Sequence, residues 1–111
     1  MPDVLDSALD VRSDAYRQQR DVNLGLLAQI EAELSRAAAG GGEKYVTRHR
    51  ERGRLLARER IELLVDRDAP FLELMPLAGW GTSDPLGGAL VVGIGPVEGV
   101  ECLITAHDPT I

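Results

Sequence analysis

A chain of 111 residues fits one small domain and leaves little room for two. Apolar types make up 44% and charged types 27%, which excludes a disordered polyelectrolyte, and twelve Lys and Arg against eighteen Asp and Glu give a net charge of −6, which argues against general nucleic-acid binding. The single cysteine, Cys102, excludes an internal disulfide framework and a four-cysteine zinc site. The longest uninterrupted apolar run, Ala89 to Val92, is far below a membrane span. Asp3, Asp6 and Asp10 fit neither the basic start of a secretory signal nor an acid-poor transit peptide. A soluble, reducing, cytoplasmic setting is expected, without nucleic-acid or membrane partners.

Charge is distributed in three blocks. Residues 1–42 carry a balance of −3, residues 43–68 a balance of +2, and residues 69–111 a balance of −5 with no Lys or Arg. In the first block, residues 1–12 read as a loose arm and 13–39 as a long amphipathic helix. Ser13 is a good N-cap, and Asp14 suits the positive end of the helix dipole. Leu27, Ile30, Leu34 and Ala37 recur at spacings of three and four, which predicts one apolar seam. Gly40-Gly41-Gly42 stops the helix.

Residues 40–70 form a basic helical segment. Helical spacing runs from Glu43 through Tyr45, Val46 and His49 to about Arg52, with Gly53 at a C′ position. A further helix is predicted from Ala57 to Val65, with Ala57, Ile61, Leu64 and Val65 on one face and Arg58 and Glu62 spaced to pair across a turn. Asp66 to Pro70 breaks the pattern.

Beyond residue 70 the texture changes. Phe71 to Leu74 reads as a short strand, and Pro76 to Gly88 as a Gly- and Pro-rich loop carrying Trp80, which suits an anchor to the rest of a larger domain or a subunit contact, with core packing the preferred reading. Two apolar runs, Ala89–Ile94 and Val100–Ala106, flank Gly95-Pro96-Val97-Glu98-Gly99, which has hairpin-turn chemistry. The first run is apolar on both faces, the mark of a strand covered on two sides. The preceding helices can cover one face at best, and a lone hairpin is marginal. The chain therefore reads as the front of a larger domain.

The candidate sites divide between structural and chemical readings. Gly93-Ile94-Gly95 with Gly99 downstream is followed by Pro96 and a β-type run rather than a helix, so it reads as a turn and not as a dinucleotide loop. Gly40 to Gly42 precedes a helix whose free amides could hold an anion, although a linker is the preferred reading. The arginines at 48, 50, 52, 54, 58 and 60 suit either the phosphates of a nucleotide-like ligand or a salt-bridged helix or subunit contact, with the second preferred. His49 and His107 have no metal-ligand spacing around them, and no metal is expected in this segment. His107-Asp108 resembles a base with its orienter, but no nucleophile is visible, so no catalytic residue is assigned. Cys102 reads as a small core residue.

The order of these motifs is more specific than any one of them. Gly41-Gly42-Glu43-Lys44, then His49-Arg50-Glu51-Arg52-Gly53-Arg54-Leu55-Leu56-Ala57-Arg58-Glu59-Arg60-Ile61, then Leu63-Leu64-Val65-Asp66 resemble the N-terminal region of the carboxyltransferase (β) subunits of biotin-dependent acyl-CoA carboxylases. The resemblance continues through Phe71-Leu72-Glu73-Leu74, Gly88, Gly93-Ile94-Gly95, Val97 to Cys102 and Asp108-Pro109-Thr110. It covers about residues 40–111. The Leu-Leu-Ala-Arg-Glu-Arg and Val-Glu-Cys segments are more similar to the methylcrotonoyl-CoA type than to the propionyl-CoA type. The single cysteine excludes the zinc ribbon of the bacterial acetyl-CoA carboxylase version, and His107 stands where a small polar residue such as Asn is expected.

The resemblance implies an α/β fold, α+β within this chain: N-terminal helices, then the first β-hairpin of a crotonase-like ββα spiral, with 71–111 as its start. It also implies transfer of a carboxyl group from carboxybiotin, carried by a biotin carboxylase/biotin carrier subunit, to an acyl-CoA. Oligomerisation of β subunits is implied as well. Backbone amides beyond this segment would stabilise the enolate, so cofactor-binding residues are unknown and this chain alone is expected to be inactive. Two other readings are the carboxyltransferase component of a biotin-dependent decarboxylase and a non-catalytic helical interaction module.

Overall fold

The computed structural model describes residues 3–111, which fall into two compact units, residues up to 32 and residues 33–111. Helix α1 spans Asp14–Ala38 and so runs through the division. Residues 3–10 have no regular structure. The Ser13 hydroxyl accepts the Tyr16 amide at 3.1 Å and donates to the Asp10 carbonyl at 2.8 Å, which fixes the start of the helix. Ion pairs one turn apart, Asp14–Arg17 and Glu33–Arg36, add a few tenths of a kcal/mol each. The seam of Leu27, Ile30 and Leu34 forms on one face, yet α1 buries no residue and Leu27 remains 51% exposed. The apolar spacing gave the helix; it did not provide a partner for the face.

In the second unit, α2 spans Glu43–Glu51 and α3 spans Ala57–Leu64. Gly53 sits at φ +69° and its amide donates to the Arg50 carbonyl, so the predicted C′ glycine ends α2. Glu59 joins the two helices. One carboxylate oxygen accepts the Leu56 amide at 2.8 Å, capping α3, while the other takes Arg50 at 2.5 Å. Arg58 pairs not with Glu62, as helical spacing predicted, but with Glu73 on the sheet. Both of those side chains are partly shielded from water, where an ion pair is less screened than on an open helix face.

Three antiparallel strands follow: β1 Leu72–Leu74, β2 Leu90–Val97 and β3 Val100–His107, in the order β1-β2-β3. The register pairs Leu72 with Ile94, Gly93 with Ile104 and Val97 with Val100. The core lies between α3 and one face of this sheet. It consists of Ala57, Ile61, Val91, Ile104 and Ala106, with Val65, Phe71, Val97 and Cys102 packed around it. Cys102, expected within the core, is half-buried at its edge. Leu64, placed by spacing on the buried face of α3, is instead exposed, because Val65 turns in to fill that side as the helix ends.

The hairpin corrects one detail of the sequence reading. Gly93-Ile94-Gly95 is not a turn, and β2 runs on through Pro96 to Val97. The turn is the pair Glu98-Gly99, with φ of +53° and +77°, as a two-residue type I′ loop requires. Pro96 is tolerated in the middle strand because β1 ends opposite Ile94. Its carbonyl accepts the Asp66 amide at 2.9 Å, so its nitrogen also faces away from β3 and removes no ladder bond.

The two glycines serve a different purpose. A Cβ at Gly93 would collide with the Phe71 ring and lie 2.6 Å from the Leu72 carbonyl, and a Cβ at Gly95 would lie 3.0 Å from Val65. Their bare backbone lets Phe71 lie against the sheet. Asp66 then clasps the hairpin from outside, its two carboxylate oxygens accepting the Glu98 and Gly99 amides at 2.7 and 2.9 Å.

Trp80 does not pack into this core. It is 64% exposed in a string of turns, where the amides of Ala78, Trp80 and Thr82 each donate to the carbonyl three residues back. Gly79 and Gly81, both at positive φ, set the direction of that loop and turn the indole to solvent. Trp80 therefore follows its backbone rather than its hydrophobicity.

Gly93→Ala is expected to destabilise the protein by about 1–3 kcal/mol through overpacking against Phe71, measured by urea unfolding. Gly25→Ala, in α1, meets open space and should instead stabilise its helix by about 0.5–1 kcal/mol. Asp66→Ala, which strips both bonds from the hairpin turn, should cost about 1–3 kcal/mol in the same measurement.

Candidate functional site

Two clefts in the second unit gather the residues singled out by sequence. The larger, about 620 Å³, is an open surface cleft beside Gly40, Gly41, Tyr45, Thr82 and Asp84. Its floor is built by a latch between distant parts of the chain. The Gly41 amide donates to the Thr110 hydroxyl at 3.0 Å, and that hydroxyl donates to Asp108 at 2.5 Å. Asp108 also accepts the Thr110 amide at 2.9 Å, an Asx-type turn that pre-forms the end of β3. Thr110 is buried to 5% exposure. The Gly41 amide, a sequence-level candidate for holding an anion, is thus already occupied within the chain.

The same latch accounts for His107-Asp108. His107 is exposed at the end of β3, whereas the Asp108 carboxylate is committed to Thr110 and its amide to the Ala89 carbonyl. Among the described residues no hydrogen bond joins the His107 ring to Asp108, so the two do not form a base with its orienter. No group of three or more His, Cys, Asp or Glu among the described residues could hold a metal ion.

The second cleft, about 450 Å³, is lined by His49, Gly53, Arg54, Leu55, Arg60 and Pro109. Gly53 turns the chain between α2 and α3, and this reversal brings Arg54 into the same wall as Arg60 from α3. The His49 Nε2–H donates to the Leu55 carbonyl at 3.0 Å, holding α2 against the loop that carries Arg54. Sequence alone grouped six arginines by spacing, and the structure sorts them by partner. Arg50 and Arg58 are spent on Glu59 and Glu73, while Arg48, Arg52, Arg54 and Arg60 make no ion pair among the described residues, and of these Arg54 and Arg60 share an open cleft whose lining contains no acid.

The sequence reading missed Asp66 and Thr110. The signals were modest: an Asp immediately after a helix, and a Thr completing Asp-Pro-Thr after a strand, both residue types that accept or exchange backbone hydrogen bonds. What spacing cannot reveal is that the amides they hold lie 32 to 69 residues away.

This arrangement defines an α+β chain in which helices precede a small antiparallel sheet. Its structural neighbours carry the crotonase-like carboxyltransferase fold. The beta subunit of Pseudomonas aeruginosa geranyl-CoA carboxylase superposes with a TM-score of 0.85 at 34% identity, covering 96% of this chain and 20% of that one. The transcarboxylase 12S subunit superposes at 0.68 with 26% identity over 78% of this chain and 18% of its own. Residues 48–111 match the carboxyl transferase domain model, and the chain belongs to that family.

A Mycobacterium tuberculosis protein named "Probable biotin-dependent acyl-coenzyme A carboxylase beta2 subunit" is 56% identical over 97% of this chain and 20% of its own length. The Dictyostelium discoideum methylcrotonoyl-CoA carboxylase beta chain is 40% identical over 97% of this chain and 19% of its own. The chain spans about one fifth of the length of these relatives. No helix among the described residues is long and apolar enough to cross a membrane.

Thr110→Val keeps the shape of the buried side chain but leaves the Gly41 amide without its acceptor. It should lower stability by about 1–2 kcal/mol, whereas Thr110→Ser should recover most of the loss; thermal or urea unfolding of the two variants would check this.

Proposed function

We propose that this chain is the N-terminal part of the carboxyltransferase β subunit of a biotin-dependent acyl-CoA carboxylase, acting on branched or enoyl acyl-CoA such as methylcrotonoyl-CoA. The observation that carries the reading is the carboxyl transferase match over residues 48–111, within a chain that superposes on a geranyl-CoA carboxylase beta subunit at a TM-score of 0.85. The sheet supports it. One face packs on α3, while Leu72, Leu90 and Leu103 on the other are exposed, Leu103 by 69%, as suits the first layer of a larger assembly. On this reading residues 71–111 open the crotonase-like layer and 40–70 brace it; the arm expected at 1–12 lies partly outside the described residues.

Carboxybiotin, brought by a biotin carboxylase/biotin carrier subunit, would supply the carboxyl group to the acyl-CoA carbon within a cytoplasmic homo-oligomer of β subunits. The 620 Å³ cleft is open to solvent, and two of the groups at its edge, the Gly41 amide and the Thr110 hydroxyl, are already bonded to each other. No step of the transfer is therefore assigned to them. The chain's contribution is to fasten the hairpin turn through the Asp66 clasp and to tie the end of β3 to the glycine linker through the Thr110 latch.

Labelled bicarbonate, ATP and the biotin-bearing partner, incubated with the full-length protein, should yield carboxylated methylcrotonoyl-CoA or a related branched product. Residues 1–111 alone should give none. Failure of the full-length protein to carboxylate any acyl-CoA, or turnover by residues 1–111 alone, would overturn the assignment.

A further inference from the structure

Helix α1 places two opposite charges at equal distances from the centre of a leucine face. Leu24 and Leu27 are 46% and 51% exposed, and α1 buries no residue. Arg20 stands four residues before Leu24, and Glu31 four residues after Leu27. At 3.6 residues per turn these four positions share one face, and Arg20 lies about three turns, or about 16 Å, from Glu31. The two charges are therefore too far apart to meet within one helix. Glu31 makes no ion pair among the described residues, and Arg20 has only its chain neighbour Asp21, at 3.8 Å with both side chains exposed.

This order is its own complement when reversed. Turned end to end about a two-fold axis between residues 25 and 26, a second α1 sets its Leu27 against Leu24 and its Glu31 against Arg20, and the reverse pairs follow by symmetry. A parallel pair would set Arg20 beside Arg20 and Glu31 beside Glu31, and like charges there oppose association. A foreign partner would need no such symmetry.

We propose that α1 pairs antiparallel with α1 of a second copy of this chain, with Leu24 and Leu27 at the centre and an Arg20–Glu31 pair at each end. Four leucines bury far less than the ~1,200 Å² of a specific interface, so the contact adds to a larger one. In that respect it rests on the reading of the parent as a homo-oligomer of β subunits. The charge pairs set direction and register more than strength.

The test uses the full-length protein, with its association followed by analytical ultracentrifugation at low salt. Arg20→Glu and Glu31→Arg should each weaken association about tenfold. The double variant Arg20→Glu/Glu31→Arg restores opposite charges across the axis and should return to within about threefold of the parent. Gln18→Glu, on the opposite face of α1, should change nothing. An Arg20→Cys/Glu31→Cys variant, oxidised in the assembly, should form a disulfide between chains that joins position 20 of one to position 31 of the other.

A monomeric parent, a double variant as weak as the singles, or a disulfide joining position 20 to position 20 overturns the pairing. Unchanged association in both single variants, with no disulfide between positions 20 and 31, overturns it too. Restored association in a protein that carboxylates no acyl-CoA leaves the pairing standing and removes the carboxyltransferase reading instead.

Discussion

Phe71 lies where two side chains would otherwise be. Its ring presses on the backbone of Gly93 and Gly95, and the rest of the second unit follows from that close approach. With the ring seated, β1 pairs with β2 and Glu73 comes up on the covered face beside α3, within reach of Arg58. The core this creates is thin, since two of its five buried members, Ala57 and Ala106, are alanines. A buried Ile or Val contributes about 1.5–3 kcal/mol, so Ile61, Val91 and Ile104 carry most of the apolar stabilisation. A core this small tolerates little loss, and it is supplemented by polar fastenings at its edges.

Those fastenings follow a common pattern: carboxylates act as connectors between segments rather than as surface charge. Glu59 caps α3 and holds α2, Glu73 ties the sheet to α3, Asp66 clasps the hairpin turn, and Asp108 positions Thr110 for the Gly41 amide. Glu59 and Glu73 are taken up by Arg50 and Arg58, and the lining shared by Arg54 and Arg60 contains no acid. The charge blocks read from sequence are averages, and they are redistributed by which acids are occupied.

Much of the architecture was legible because it rests on local rules. Ser13 as an N-cap, Gly53 as a helix stop and the alternating apolar runs of the hairpin all act within a few residues, and the structure has each of them. The failures came where tertiary context decides. Gly93 and Gly95 carry turn chemistry in sequence but sit inside a strand, because the demand on them comes from a ring 22 and 24 residues earlier. Trp80 is apolar enough for a core, yet its backbone turns it outward. The basic surface was half legible: the arginines were evident, but the pairing of Arg50 and Arg58 depends on Glu59 and Glu73, which spacing had not matched to them, and the meeting of Arg54 with Arg60 depends on the connection at Gly53.

The latch from Gly41 to Thr110 has a kinetic side. It joins residues 69 apart, while the Glu98-Gly99 turn closes between neighbours. Loop-closure entropy favours the short connection, so the hairpin is expected to form early and the latch to close over a sheet already in place. A bond made late in folding is also among the first to open in the native state. Amide hydrogen exchange at Gly41 should then report local opening of the seam between the glycine linker and the end of β3 that leaves the hairpin intact.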